Sequence, residues 1–88
     1  MFALSYNGCM TTGHETAPPT NIIATQSLVF VDGIPAIVEG DKIYHSNHDG
    51  SAIGSSNVYI NGKKAIHIGD SFTCGDHSAQ GSPNVFIG

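Results

Sequence analysis

An internal repeat constrains this chain more than any other feature of its sequence. Residues 27–44, SLVFVDGIPAIVEGDKIY, align without gaps on residues 56–73, SNVYINGKKAIHIGDSFT, at an offset of 29, and seven of the eighteen positions are identical. A third, shorter copy closes the chain, because NVFI at 84–87 resembles NVYI at 57–60. Three similar units in one polypeptide indicate pseudo-threefold organisation.

Each longer copy has the pattern of a strand, a two-residue turn and a second strand. The dipeptides Asp32-Gly33 and Asn61-Gly62 favour tight hairpin turns and stand between β-branched and aromatic runs. No long segment free of Gly and Pro shows a 3.6-residue apolar period, so helices are not expected. We therefore predict an all-β fold with short strands at 28–31, 34–38, 58–60, 64–68 and 85–87, separated by long polar connections at 10–21 and 45–56.

Length and charge limit the classes of protein to which the chain can belong. Eighty-eight residues predict a single domain, 1–88, with repeats at about 27–55 and 56–88. A domain of this size buries a modest share of its surface, and a cross-link or a metal often adds the missing stability. The net charge is −4 with three Lys and Arg in all, which argues against nucleic-acid binding, since phosphate contacts need clustered cations.

The sequence carries no motif for targeting or for catalysis. The N-terminus has no basic region and no adequate apolar run, and no stretch approaches the ~20 apolar residues that cross a bilayer, so we expect a soluble protein made in a cytoplasm. There is no G-x-S-x-G, P-loop or Gly-rich nucleotide fingerprint, so neither catalytic residues nor a small-molecule substrate are indicated. Asp76 and Glu15 are single carboxylates without a partner identifiable from sequence.

Metal-capable side chains recur once in each repeat. His14, His45 and Cys74 precede the first valine of the three similar strands by 15, 13 and 11 residues. Zinc in proteins is usually four-coordinate, with histidine nitrogen and cysteine thiolate as common ligands. Three residues after a candidate ligand, His48 and His77 occupy equivalent places in the alignment. The repeat therefore predicts one convergent metal site, with either His48 or His77 as the fourth ligand.

Other interpretations exist for several of these polar residues. The histidines could be exposed loop residues, and a Cys9–Cys74 disulfide is the other alternative, although a reducing cytoplasm disfavours it. Cys9 is expected to pack as a small apolar side chain. His67 is interpreted as a surface or packing residue. Asp41 and Asp70 each follow a glycine at a strand end, where Asp caps a turn by accepting backbone N–H groups.

The repeat resembles that of the PAAR-domain proteins. In that family Pro-Ala-Ala-Arg, or a variant, lies between the hairpin glycine and a Gly-Asp pair, and LVFVDGIPAIVEGD and NVYINGKKAIHIGD keep this spacing with IPAI and KKAI. The resemblance covers essentially the whole chain. It is greatest to the small spike-tip proteins of contractile-tailed bacteriophages, including the opening LSYNGCMTTGHETAPPT, and type VI secretion PAAR proteins are wider relatives.

The resemblance implies a fold, a metal and a role. The family fold is a small cone of short strands that caps the blunt end of a trimeric β-helical spike, with one tip on each trimer. It implies a structural, non-enzymatic protein that meets a target envelope transiently. Its location would be a phage tail baseplate, after synthesis in the host cytoplasm, or a bacterial cytoplasm followed by type VI secretion. One metal ion, zinc or iron, is implied near the apex, with the matching ligands His14, His45, His48 and Cys74.

The three similar strands are the expected contact with the spike. Phe30, Tyr59 and Phe86 hold equivalent places and could each face one subunit of a trimer, or point into the core. Gly88 follows the third strand directly, so no effector tail is expected. The alternative function is a free-standing zinc-binding module for storage or sensing. An open site with three protein ligands and a water would instead indicate a metal-dependent hydrolase.

Overall fold

The computed structural model describes residues 1–87 and contains eight short strands in four two-stranded antiparallel sheets. β1 pairs with β8, β2 with β3, β4 with β5 and β6 with β7. The predicted all-β class is confirmed, and residues 1–87 include no helix long and apolar enough to cross a membrane. The expectation for Gly88 falls outside the described residues. The strands are β1 (Phe2–Ala3), β2 (Phe30–Val31), β3 (Ile34–Pro35), β4 (Lys42–Tyr44), β5 (Asp49–Ser51), β6 (Tyr59–Ile60), β7 (Lys63–Lys64) and β8 (Phe86–Ile87).

The two predicted hairpin turns are confirmed. Asp32 and Gly33 have φ values of 53° and 81°, and Asn61 and Gly62 have values of 53° and 77°. Two successive residues with positive φ define the type I′ turn, which matches the twist of the flanking strands and favours Asp or Asn followed by Gly.

The third repeat is completed by the N-terminus of the chain. Phe2 of β1 pairs with Ile87 of β8, as Ile34 of β3 pairs with Val31 of β2. The second half of the third hairpin is therefore at the start of the sequence, where a linear repeat alignment does not find it. Each copy then ends at a glycine of nearly identical conformation, as the φ values of 92°, 92° and 93° at Gly8, Gly40 and Gly69 show.

Three backbone hydrogen bonds close a ring between the three repeats. The N–H of Ser5 donates to the carbonyl of Ile66 at 2.9 Å, Ile66 donates to Ile37 at 3.0 Å, and Ile37 donates back to Ser5 at 3.1 Å. All three residues are fully buried. This axial ring defines a pseudo-threefold axis. The principal extents of 31 × 22 × 22 Å agree with it, since a threefold body has two equal transverse dimensions.

Apolar side chains pack in two clusters on either side of the axial ring. The lower cluster adjoins the three similar strands, and the upper cluster lies toward the connections that carry the candidate metal ligands. The lower cluster contains Leu4, Val31, Ala36, Val38, Ile60 and Ala65. The upper cluster contains Cys9, Ile22, Ile37, Ile43, Ala52, Ile66 and Phe72.

The strands are shorter than predicted. Only two residues of each predicted strand form a hairpin ladder, or one in the case of 64–68, whose ladder begins at Lys63. The chain then leaves its partner and pairs with the next repeat through single bridges. The range 45–56 is also not a plain connection, since β5 lies within it and pairs with β4. The composition of β5, Asp-Gly-Ser, hid that strand, because these residues rarely favour strands. The bridges between repeats are Tyr6↔Ala36, Val38↔Ala65 and Leu4↔His67.

The two Gly-Asp pairs cap turns, as predicted. The carboxylate of Asp41 accepts the N–H of Val38 at 2.9 Å, and that of Asp70 accepts the N–H of His67 at the same distance. Both carboxylates are buried. Hydrogen bonding to the backbone accounts for these buried acids without a catalytic role.

In the third repeat both partners of the cap differ. The second oxygens of the two capping carboxylates accept the hydroxyl groups of Thr25 and Ser55. Cys9 stands in place of the aspartate, and Ser82, three residues before Val85 as Ser55 is before Val58, is the matching hydroxyl residue. The hydroxyl of Ser82 donates to the carboxylate of Asp32. The capping acceptor is thus absent, and the matching hydroxyl is used elsewhere.

This pairing predicts that Cys9→Asp destabilises the protein. The Cys9 sulfur accepts the N–H of Tyr6 at 3.3 Å, and one carboxylate oxygen could take that bond over. The other oxygen would be buried without a donor, at a cost of about 2 kcal/mol or more in the free energy of unfolding. Chemical denaturation would measure the loss, with Cys9→Ala as the control that removes the thiol alone. A Cys9→Asp protein as stable as Cys9→Ala would contradict the argument.

Candidate metal centre

Four side chains from three connections come together at the end of the molecule beyond the upper cluster. His14, His45, His48 and Cys74 each offer one ligand atom, and these four atoms lie within 4.8 Å of one another. His77 is not in this group of described residues. The structure therefore brings together the four residues that the resemblance implied. It also distinguishes His48 from His77, which the repeat alignment left as equivalents, because His48 alone lies in the group.

The spacing of the imidazoles fits a single ion. Nε2 of His14 lies 3.1 Å from Nε2 of His48. Two nitrogen ligands of one tetrahedral zinc are about 3.3 Å apart, given Zn–N bonds of about 2.0–2.1 Å. The ring centroids of His14, His45 and His48 are 4.8 to 5.1 Å apart, so three rings converge on one point. The group could hold an ion with only small movements of its members.

Tight turns aim these rings. The N–H of His45 donates to the carbonyl of His48 at 2.8 Å, which closes the turn that carries both side chains. Nδ1 of His48 lies 2.8 Å from the side-chain oxygen of Asn47, and this bond leaves Nε2 facing the site. His14 occupies a similar turn, closed by its N–H donating to the carbonyl of Ala17 at 3.0 Å.

Cys74 lies directly over a glycine. A Cβ added at Gly50 would lie 2.6 Å from the Cys74 sulfur, so the thiol occupies the space that any side chain there would need. Both cysteines are free. Cys9 is buried in the upper cluster as expected, and burial raises the pKa of its thiol. A neutral buried thiol is a poor metal ligand, since metals bind the thiolate.

A buried carboxylate backs the histidine cluster, and sequence reasoning gave it no partner. Oδ2 of Asp76 lies 3.2 Å from Nε2 of His45, and both side chains are 1% exposed or less. Asp76 follows closely after Cys74, but its partner belongs to a different repeat. The two residues are brought together only by folding, so the sequence alone did not indicate that Asp76 and His45 are partners.

Hydrogen bonds hold Asp76 in its ionised form. Burial alone would raise the pKa of Asp76, but hydrogen-bond donors together lower this pKa by more than burial raises it. The donors are the hydroxyls of Thr11 and Thr12 and the backbone N–H groups of His77 and Gly13. A carboxyl group with a lowered pKa stabilises the folded state at pH values above its unfolded pKa. That contribution is lost as the pH falls through the folded value.

One side of the histidine cluster faces solvent. A polar cleft of about 170 Å³ opens beside His14 and His48, with Glu15 and Asn47 on its walls. The His45 side chain lies on the opposite, buried side. Four protein ligands are the number found in closed structural zinc sites, whereas catalytic sites use three and keep one position for water. The ligand count thus favours a structural centre.

A second feature lies at the opposite end, where three aromatic side chains point outward. Phe30, Tyr59 and Phe86 are 51%, 59% and 46% exposed, while the next residues, Val31 and Ile60, are buried. The alternation of a strand therefore turns each aromatic side chain away from the lower cluster. The three equivalent positions form an exposed apolar surface, which we call the base.

A serine, a histidine and an aspartate also meet at the side of the molecule. The hydroxyl of Ser55 lies 3.2 Å from Nε2 of His67, but Asp70 approaches the same nitrogen at 3.5 Å. A catalytic triad needs the carboxylate on the other ring nitrogen, and here Nδ1 of His67 faces the carbonyl of Ile68 at 2.8 Å. His67 also stacks on Phe2 at 4.4 Å between ring centroids, so it is a packing residue.

Comparison with known families identifies the chain. The PAAR motif family matches residues 12–79, which include all four residues of the candidate metal centre. The chain belongs to the PAAR motif family. This match covers well over half of the sequence, and the resemblance noted from the repeats is confirmed.

Two curated relatives share part of this PAAR chain. One is the NAD(P)(+) glycohydrolase toxin Tse6 of Pseudomonas aeruginosa strain PAO1, which is 51% identical over 37 residues. The other is the (p)ppApp synthetase toxin Tas1 of Pseudomonas aeruginosa strain UCBPP-PA14, with the same identity over 37 residues. The matched segment is 42% of this chain but only 9% and 8% of the two toxins. Most of each toxin thus lies outside the similarity.

The tetrapeptide positions of this PAAR chain lie at its axis. In IPAI and KKAI the alanines, Ala36 and Ala65, are fully buried in the lower cluster. The isoleucines that follow, Ile37 and Ile66, supply two members of the axial ring. In the third repeat Leu4 holds the equivalent place beside Ser5 and is also buried in the lower cluster, so this place requires burial and not a small side chain.

We predict that Gly50→Ala disrupts the metal centre while leaving all four candidate ligands in place. Its Cβ would overlap the Cys74 sulfur at 2.6 Å, and ordinary contact begins at 3.4 Å, so the sulfur must move by about 0.8 Å or more. Cobalt substitution provides the measurement, since thiolate ligation gives a characteristic charge-transfer absorption that should weaken or vanish. Asn57→Ala, a change at an exposed residue just before β6, is the control. An unchanged cobalt spectrum in Gly50→Ala would contradict the prediction.

Proposed function

We propose that this protein is the apical tip of a membrane-piercing spike in a contractile injection machine, where it caps a trimeric β-helical spike protein. One observation carries the proposal. The three aromatic side chains of the base are equivalent, exposed and arranged about an axis that a ring of backbone hydrogen bonds defines. A single chain with three similar faces can meet the three equivalent surfaces at the end of a trimer.

The stoichiometry of the proposed complex follows from symmetry. Only one copy of a tip can lie on the threefold axis of a trimer, so one tip binds three spike subunits. Large exposed aromatic side chains commonly anchor protein interfaces. Phe30, Tyr59 and Phe86 would each contact one subunit, and the exposed Val29 and Val58 extend the apolar area. The contact with a target envelope is transient and mechanical.

The proposed metal is one zinc ion, with iron as the alternative. His14, His45, His48 and Cys74 would hold it, and the ion would join the three connections that extend beyond the upper cluster. When the ligands are brought together only by folding, the free energy of metal binding contributes to the free energy of folding. In this account the ion replaces the apolar core that so small a domain cannot extend to its apex.

The setting we favour is bacterial secretion. The partial identity with two bacterial toxins supports a protein made in a bacterial cytoplasm and exported with a type VI spike, and a phage tail baseplate is the other setting. The protein acts without catalysis in this proposal. The enzyme activities named for the two toxins belong to those proteins, of which this segment matches less than a tenth.

Metal content and the identity of the fourth ligand can be tested together. Protein purified without chelators is expected to hold one ion per chain, because the described residues offer one convergent ligand set. His48→Ala should lose most of the metal, whereas His77→Ala should retain it, since only His48 lies in the cluster. Elemental analysis measures both. A folded, metal-free wild type, or metal loss on His77→Ala alone, would contradict the assignment.

Binding to the spike is tested by a substitution in the base. Tyr59→Asp should weaken binding to a trimeric β-helical spike by about tenfold or more, which corresponds to about 1.4 kcal/mol, because it places a charge in an apolar contact. Tyr44→Asp is the matched control, since Tyr44 is 55% exposed but lies on β4, beside the metal centre. Calorimetry would give the affinity, and native mass spectrometry the stoichiometry.

Two results would refute the spike proposal. Three tips on one trimer would show that the pseudo-threefold axis does not lie on the axis of the spike. Equal loss of binding in Tyr59→Asp and Tyr44→Asp would show that the base is not the contact. A protein that holds zinc but binds no spike would favour the free-standing storage or sensing module.

A further inference from the structure

The buried pair of Asp76 and His45 contains the unpartnered polar atoms of the described structure. Among the buried side-chain nitrogen and oxygen atoms of residues 1–87, those without a hydrogen-bond partner are Nδ1 and Nε2 of His45 and Oδ2 of Asp76. Nε2 and Oδ2 lie 3.2 Å apart but are not aligned for a hydrogen bond. An unpaired buried polar atom costs about 1–3 kcal/mol, so three in one place require an explanation.

The carboxylate is fixed on one side and free on the other. Oδ1 of Asp76 accepts the hydroxyl of Thr12 at 2.9 Å and the N–H of His77 at 2.8 Å. These two donors anchor the carboxylate, and Oδ2 remains directed at the His45 ring. Neither donor depends on a metal ligand side chain, so the anchor exists whatever occupies the cluster.

A single arrangement of proton and ion satisfies all three atoms. If Nε2 of His45 carries the proton, a small rotation of the ring lets it donate to Oδ2 of Asp76. Nδ1 is then a bare lone pair, and a cation can bind it. In the other tautomer a lone pair on Nε2 faces the carboxylate, and the Nδ1–H group stays unpaired in the interior.

The other two histidines have the opposite arrangement. Nδ1 of His48 is engaged by Asn47, and the Nε2 atoms of His14 and His48 face each other at 3.1 Å. These two rings therefore offer Nε2 to an ion. His45 is distinguished by having its Nε2 directed at a carboxylate.

We propose that Asp76 is a positioning residue that holds His45 with Nε2–H toward its carboxylate, so that His45 binds the metal through Nδ1 while His14 and His48 bind through Nε2. The inference rests on the proposed metal centre and adds to it the atom used by each histidine. Outer carboxylates of this kind orient a ligating imidazole and raise its basicity. Asp76 itself is not a ligand, since the convergent group does not include it.

Cadmium-113 NMR tests the proposal directly. The full-length protein, labelled with ¹⁵N at histidine and loaded with ¹¹³Cd, should show one-bond coupling from the metal to Nδ1 of one histidine and to Nε2 of two others. The His45→Ala spectrum assigns the Nδ1 signal. The Nε2 proton of His45 should also be observed and protected from exchange, since its side chain is 1% exposed.

The variant Asp76→Asn tests the role of the carboxylate. Its metal affinity, measured by competition with a chelator, should fall about tenfold to a hundredfold, the usual effect of losing an outer-shell partner. It should also lose the protected Nε2 proton. Asp49→Asn, which changes an exposed carboxylate on β5, should behave as wild type.

The outcomes separate this inference from the metal proposal. Cadmium coupling to Nε2 of His45 would overturn the positioning role of Asp76 and leave the metal centre standing. A protein that binds no cadmium would overturn both. An Asp76→Asn protein with unchanged metal affinity and an unchanged Nε2 proton would likewise overturn the role assigned to Asp76.

Discussion

The axial ring of three backbone hydrogen bonds is the constraint on which the rest of the fold depends. Ser5, Ile37 and Ile66 come from three separate repeats, and each both donates to one neighbour and accepts from the other. These groups are buried, so no water can replace a missing bond, and one unpaired group would cost about 1–3 kcal/mol. The ring therefore cannot close with two repeats alone. This requirement explains why the N-terminal strand β1 returns to complete the third hairpin instead of starting a separate element.

The repeats keep this backbone ring while their side chains differ in matched pairs. Ser5 stands where the other repeats have isoleucine, and its hydroxyl lies 2.7 Å from that of Ser78. It also lies 2.9 Å from the carbonyl of Gln80. Where a polar serine replaces the buried isoleucine, the structure thus also supplies hydrogen-bond partners for its hydroxyl. Cys9 and Ser82 follow the same rule, since the capping acceptor is lost and the hydroxyl that matches Ser55 donates to Asp32 instead. Changing both members of a buried pair avoids the penalty that changing one member would carry.

The sequence predicted what is local and repeated, and it missed what depends on contact between distant segments. The turns at Asp32-Gly33 and Asn61-Gly62 follow from residues that tolerate positive φ, and the capping role of Asp41 and Asp70 follows from their place after a glycine. The repeat also selected the candidate ligands. By contrast, the short bridges are set by pairing around the axis. β5 pairs locally with β4, but it was missed because a stretch such as Asp-Gly-Ser carries no preference for a strand. The partner of Asp76 was likewise hidden, because nothing in the sequence indicates which repeat will face it.

The two ends of the molecule owe their order to different interactions. Beyond the upper cluster, single hydrogen bonds join one connection to the next, such as that from the Thr12 N–H to the His77 carbonyl at 2.9 Å. Each such bond contributes about 1 kcal/mol. A structural zinc ion in a zinc-finger peptide contributes about 10–16 kcal/mol. If the proposed ion is present, it dominates the order of the apex, whereas the axial ring and the lower cluster hold the base without it. Loss of the ion then acts first on the three connections, and the surface proposed to meet the spike keeps its own support.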